Sequence, residues 1–214
     1  PVWINLEHLT AQAYARQNHG LRSPQFSGAG VALVKWFFHP GFTPGTGGLI
    51  REPELETRQR HFDALAWRAG QGLAANTGER CVSLFCYANA ALPALLDVLS
   101  EQPTLVLTAP GPAAEQLHQL LGSKLRRRAL RAIALPWLNQ LDFDHLLWSS
   151  DINFVRGEDS WARAQWSDRP FVWQPYVQSD SAHHAKLHAF LDLYLHTATP
   201  ALARDTRALW ACWN

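Results

Sequence analysis

From Arg80 onward, short apolar runs alternate with segments whose leucines and alanines recur at helical spacing. Residues 81–87 are apolar and β-forming and predict a buried strand. Residues 90–101 repeat leucine with a helical period, and Pro93 is tolerated in a first turn. Residues 104–108 predict the next strand, closed by Ala109-Pro110-Gly111-Pro112, and 113–121 a helix stopped by Gly122. The alternation continues with strand 129–135, helix 142–149, strand 152–155, helix 159–166, strand 170–173 and a long helix over 182–195. Such alternation predicts a parallel sheet with helices on both faces. Right-handed crossovers then make it a doubly wound, Rossmann-like α/β fold. Ligands of these sheets sit beyond the carboxyl ends of the strands, so the loops after Tyr87, Leu135 and Val155 are the places for a site.

The first fifty residues have a different texture. Residues 2–6 and 31–38 read as strands, and Gly28, Gly30, Gly41, Gly45, Gly47 and Gly48 punctuate the loops around them. Residues 52–69 read as one helix of mixed charge. This divides the chain into a remnant of a preceding domain (1–50), a connection (51–78) and a second domain (79–214). The sequence has no initiator Met, begins inside a predicted strand and stops at Trp210–Asn214 in an aromatic-rich helical pattern, so it reads as an internal fragment of a longer protein.

Composition narrows the function classes. Hydrophobic residues make up 47% of the 214, enough for a substantial core, which argues against disorder. The formal net charge of +1 argues against a general nucleic-acid or membrane-surface binder. Three unevenly spaced cysteines, Cys81, Cys86 and Cys212, do not form a disulfide framework and favour a reducing cytoplasm. No apolar run is long enough to span a bilayer, and the start is not a signal peptide.

The segment Val155-Arg156-Gly157-Glu158-Asp159-Ser160 carries the most chemistry. A strand delivers the chain to an Arg-Gly turn, and a helix follows with Asp159 or Ser160 as N-cap. Helix starts expose unpaired N–H groups that suit phosphate, Gly157 admits close approach, Arg156 can neutralise a diphosphate, and Glu158 can accept from sugar hydroxyls. The same letters also describe a capped helix with a surface ion pair. Phe85 and Tyr87, two apart, share one strand face; Trp137 and Gln140 follow the strand ending at Pro136. An aromatic can stack on a base and a Gln amide can read its edge, although core packing explains Phe85 and Trp137 as well, and Gln140 reads equally as a helix-entry residue.

His184 and His188 lie four apart beside His183, but no third ligand accompanies them, so no metal site is expected; Lys186 and His188 read instead as a cationic face beside an anionic donor. The basic run Lys124–Arg128 lacks interleaved aromatics and reads as a solvated helix-to-strand edge, and Cys86 as a small buried residue. No Walker loop or complete GxGxxG follows a strand, so ATP and NAD find no support.

Several words of the sequence, in order, resemble the elongation factor P arginine rhamnosyltransferases, the EarP family. They are Ile4-Asn5-Leu6-Glu7-His8-Leu9, Gly47-Gly48-Leu49-Ile50-Arg51-Glu52, Asp142-Phe143-Asp144, Arg156-Gly157-Glu158-Asp159-Ser160, Arg163-Ala164-Gln165 and Lys186-Leu187-His188-Ala189-Phe190. The resemblance implies a GT-B-type glycosyltransferase: two Rossmann-like domains facing a cleft, the second binding dTDP-β-L-rhamnose. It implies inverting, metal-independent transfer of rhamnose to an arginine of elongation factor P in the cytoplasm, with no cofactor. Phe85, Tyr87, Trp137, Gln140 and Arg156 to Ser160 match donor-binding positions, and Glu158 matches a glutamate regarded as essential. The family's general-base aspartate, in a glycine loop of the first domain, is expected upstream of residue 1. Another GT-B nucleotide-sugar transferase, or a non-catalytic nucleotide-sugar-binding fragment, remains the alternative.

Overall fold

The structure, a computed structural model, describes residues 2–26, 33–73, 76, 78–177 and 182–214. Gly28, Gly30 and the first two residues of the strand predicted over 31–38 lie outside the described residues. In chain order the elements are β1 (Trp3–Leu6), α1 (Gln12–Asn18), β2 (Arg22–Pro24), β3 (Val34–Phe38), α2 (Leu55–Arg60), α3 (Ala64–Gly70), β4 (Arg80–Leu84), α4 (Leu92–Leu99), β5 (Thr104–Thr108), α5 (Pro112–Leu121), β6 (Arg126–Arg127), β7 (Leu130–Ala134), α6 (Gln140–Ser149), β8 (Ile152–Arg156), α7 (Asp159–Gln165), β9 (Phe171–Gln174), α8 (Ala182–Tyr194) and α9 (Pro200–Trp213). Among the described residues no helix is long and apolar enough to cross a membrane.

The chain divides into two compact units, Pro1–Pro53 with Gln178–Tyr194, and Glu54–Val177 with Leu195–Asn214. In the first unit, β3 pairs in parallel with β1 and antiparallel with β2. The sequence reading grouped residues 182–195 with 79–214; the structure groups α8 with the first 53 residues. Lys186 Nζ donates to the Leu9 carbonyl oxygen at 3.0 Å, and the Phe190 ring meets Phe42 edge-on at 5.5 Å, so Lys186 is committed inside this unit.

The second unit holds a six-stranded sheet in the order β6-β7-β5-β4-β8-β9, parallel except for the β6–β7 pair. Every residue of β5 and β9 is buried, as expected for strands covered by helices on both faces. The chain steps from β4 through β5 to β7, then returns to lay β8 on the other side of β4. The order therefore reverses between β4 and β8, and the crevice beyond their carboxyl ends is the switch point of the sheet.

Three local readings change. The helix expected over 52–69 is two helices, because the Asp63 carboxylate accepts the Leu65 and Ala66 N–H groups at 2.9 and 3.0 Å and starts α3 afresh. The strand expected over 81–87 ends at Leu84. The basic run near 124–128 folds as an edge hairpin, with Leu125 and Arg128 at positive φ and Arg127 paired to Asp97 at 2.8 Å.

Candidate functional site

β4 stops pairing as the chain reaches the switch point. Phe85 makes one more backbone bond, donating its N–H to Phe154 O at 2.9 Å, and the chain then leaves the sheet. Phe85 and Tyr87 still face the same way, because both rings lie against Arg156: its guanidinium carbon is 4.5 Å from the Phe85 centroid and 4.8 Å from that of Tyr87. Each such contact is worth about 0.5–2 kcal/mol, and together they hold a long, flexible cation in one place. Between the two rings Cys86 points into the core at 1% exposure, and burial pushes its thiol up to about 12, so it is no nucleophile. Burial likewise raises the Tyr87 phenol, outweighing the opposing charge of Arg156, so Tyr87 keeps its proton as a hydrogen-bond donor.

The turn from β8 into α7 faces those rings. Gly157 has φ +64°, the left-handed region that glycine adopts freely. Its N–H donates to Gln174 O at 2.9 Å, and its carbonyl accepts the Trp173 indole N–H at 2.6 Å. Trp173 is in turn packed against Trp161 of α7, ring centroids 5.0 Å apart, and each is 1% exposed. Burying two such rings contributes several kcal/mol, on the order of 2 or more each, and anchors the turn to the sheet. The N-cap is Glu158 rather than Asp159 or Ser160. Ser160 is otherwise engaged: its Oγ accepts the Arg156 N–H at 2.9 Å, and its hydroxyl donates to the Arg156 carbonyl. The Ser160 side chain therefore closes the turn that displays its neighbours.

The third wall is the start of α6. Asn139 caps it by accepting the Asp142 N–H at 2.9 Å, so the helix begins at Gln140, two residues before the predicted start. Phe143 meets Phe85 edge-on at 5.3 Å. Trp137 is 83% exposed, which removes the core-packing reading for this ring. Helices α6 and α7 are locked together by a buried ion pair in which the Arg163 guanidinium donates from Nε to Asp144 Oδ1 at 2.7 Å and from a second nitrogen to Asp144 Oδ2. A two-pronged pair of this kind fixes angle as well as distance.

These walls enclose a cleft of about 580 Å³ lined by Phe85, Tyr87, Trp137, Gln140, Arg156, Gly157, Glu158, Asp159 and Ser160, with Ala109, Leu138, Asn139, Phe143 and Arg163. All nine candidate residues of the sequence thus meet on one cleft, Tyr87, Gln140 and Asp159 included. An exposed aromatic face, a clamped cation, a protonated phenol and two carboxylates suit a ligand with a flat base, an anionic linker and hydroxyls. Sequence reasoning gave no part at the cleft to Trp173, Gln174 or the pairing of Asp144 with Arg163. Gln174 left one trace there, as the polar residue that closes the apolar run Phe171–Trp173. Among the described residues, no group of three or more His, Cys, Asp or Glu is arranged to hold a metal ion.

Comparison with known proteins shows the family and the fold type. The family model described as "Elongation-Factor P (EF-P) rhamnosyltransferase EarP" matches residues 1–214. A protein-arginine rhamnosyltransferase of Pseudomonas aeruginosa is 41% identical over all of this chain and 59% of its own length. One from Neisseria meningitidis is 33% identical over 98% of this chain and 56% of its own length. A solved structure described as "Structural basis for EarP-mediated arginine glycosylation of translation elongation factor EF-P" superposes with a TM-score of 0.71 at 27% identity, covering all of this chain and 84% of that one. The mixed α/β fold is accordingly of the GT-B glycosyltransferase type. The chain spans 59% of the length of the Pseudomonas aeruginosa relative it matches.

Proposed function

We propose that this chain, which belongs to the EarP family of elongation factor P rhamnosyltransferases, forms the donor site of an enzyme that moves rhamnose from dTDP-β-L-rhamnose to an arginine of elongation factor P. The observation that carries the proposal is the Arg156 guanidinium held over Phe85 and Tyr87 at the mouth of the switch-point cleft. In this reading Trp137 stacks on the thymine and Gln140 reads its edge. Arg156 and the Tyr87 hydroxyl receive the diphosphate, and Glu158 and Asp159 take hydroxyls of the sugar or ribose.

The chemistry follows from what each group must do. A guanidinium is a poor nucleophile, since its lone pairs are delocalised and its pKa exceeds about 12. A carboxylate must accept a proton as the arginine nitrogen attacks the anomeric carbon. The family resemblance puts that aspartate outside residues 1–214. Attack opposite the diphosphate forms the new C–N bond as the C–O bond to dTDP breaks, inverting the centre. Negative charge grows on the departing diphosphate, where Arg156 stabilises it without a metal ion. An elongation-factor acceptor sets the reaction in the cytoplasm.

The test is transfer by the whole protein from dTDP-rhamnose to elongation factor P in the presence of a chelator, read as a one-deoxyhexose mass increase on a single arginine. Transfer only from another nucleotide sugar would favour a different GT-B enzyme. Binding of dTDP without any transfer would favour a non-catalytic module.

A further inference from the structure

The carboxyl end of β9 brings one residue to both loops of the cleft. Gln174 is its last residue, 8% exposed, and its Cα pairs in register with that of Arg156 on β8. Its side-chain Oε1 accepts the Tyr87 N–H at 2.9 Å, while its main-chain carbonyl accepts the Gly157 N–H at 2.9 Å. The two contacts differ in what they need. The second comes from the backbone and survives any side chain. The first exists only because the residue is Gln: Tyr87 has left the β4 ladder, and the amide oxygen takes the place of a strand carbonyl.

We propose that Gln174 is a positioning residue, which sets the height of the Tyr87 ring over Arg156 and through it the affinity for a nucleoside diphosphate. The inference rests on the donor-site reading above. An amide suits the position because it accepts a hydrogen bond while remaining neutral, whereas a carboxylate would bring negative charge beside the diphosphate. The effect is local. Farther along the loop, Asn89 is held separately: its N–H donates to Gln116 Oε1 at 3.0 Å, its carbonyl accepts from Gln116 Nε2 at 2.7 Å, and its Nδ2 donates to Trp213 O at 2.8 Å. Losing the Gln174 oxygen releases Tyr87 while those three bonds keep the loop in place.

The test is titration of dTDP into the whole protein as wild type, Gln174→Met, Tyr87→Ala and the double variant. Met matches Gln in length and offers only a weak acceptor. Gln174→Met should weaken dTDP by roughly fivefold to tenfold, the size of one lost hydrogen bond. In the Tyr87→Ala background the same change should cost less than about twofold, because Gln174 acts through the ring that is gone. Equal losses in both backgrounds, or none in the first, overturn the inference while leaving the donor site standing. A wild type that fails to bind dTDP sinks both. Should Gln174→Met not fold, Gln174→Glu decides through amide hydrogen exchange: it keeps an acceptor, so residues 85–89 should stay as protected as in the wild type, and faster exchange there overturns the proposal.

Discussion

Gly157 lies so close beneath Tyr87 that a Cβ atom on it would sit 3.2 Å from the phenol oxygen. The turn and the ring are fitted to each other, and the left-handed φ of +64° adds a second reason for glycine. Gly157→Ala should cost about 1–2 kcal/mol in urea denaturation, from the strained backbone. It should also displace the Tyr87 ring and weaken dTDP binding. Adding Tyr87→Phe removes the oxygen that the new methyl meets, so it should recover stability in part but not the φ penalty. A Gly157→Ala protein as stable as the wild type would contradict this account of the turn.

Glu158 lines the cleft beside Arg156 and Gly157. Glu158→Gln keeps size and most acceptor geometry and removes the charge. If the charge works in the transition state, kcat for elongation factor P should fall by at least about tenfold while the dTDP-rhamnose Kd stays nearly constant. Parallel calorimetry and transfer assays check the split. A Kd weakened by about 1.5–3 kcal/mol with kcat intact would instead make Glu158 a donor-hydroxyl holder.

Trp137 exposes 83% of its surface at the rim of the cleft. Its removal should therefore leave the melting temperature nearly unchanged, since little buried area is lost. Stacking on a base is worth about 1–3 kcal/mol, so Trp137→Ala should weaken dTDP by that amount and Trp137→Phe by much less. Equal affinity in all three proteins would take Trp137 out of the site.

Arg131 and Glu79 form an ion pair, Nε to Oε1 at 2.7 Å, that ties β7 to the segment before β4. The hydrogen bond from Arg131 holds the Glu79 carboxyl below its ordinary value of 4.5. A carboxyl depressed by folding contributes stability above its unfolded pKa and loses it as pH falls through the folded one. Glu79→Gln should therefore be less stable than the wild type at neutral pH, and the two should converge in acid below pH 4.5. Urea titrations across that range measure it. A difference independent of pH would mean that packing, not charge, holds this edge.

What the sequence determined by itself was periodic and local. Strand-length apolar runs between helical segments are visible in one dimension, because burial on both faces demands unbroken β-formers; the doubly wound sheet and the loops at its carboxyl ends follow from that. That nine residues now found on one cleft could be singled out follows from strand ends, an Arg-Gly turn and paired aromatics, which leave short signatures. The break between α2 and α3 was not, since it depends on whether Asp63 caps a new helix or stays exposed in an old one. How the candidates are arranged depends on contacts between distant segments, which only the tertiary structure decided. Ser160 spends its hydroxyl on the turn, Trp137 lies exposed where its composition equally suited a core, and Arg156 is clamped by rings more than sixty residues earlier in the chain. Gln174, 87 residues from Tyr87, came within hydrogen-bond reach of it only when β9 was laid beside β8. Hydrogen bonds and ring contacts of this kind join distant positions and carry no period, so no pattern along the chain announces them.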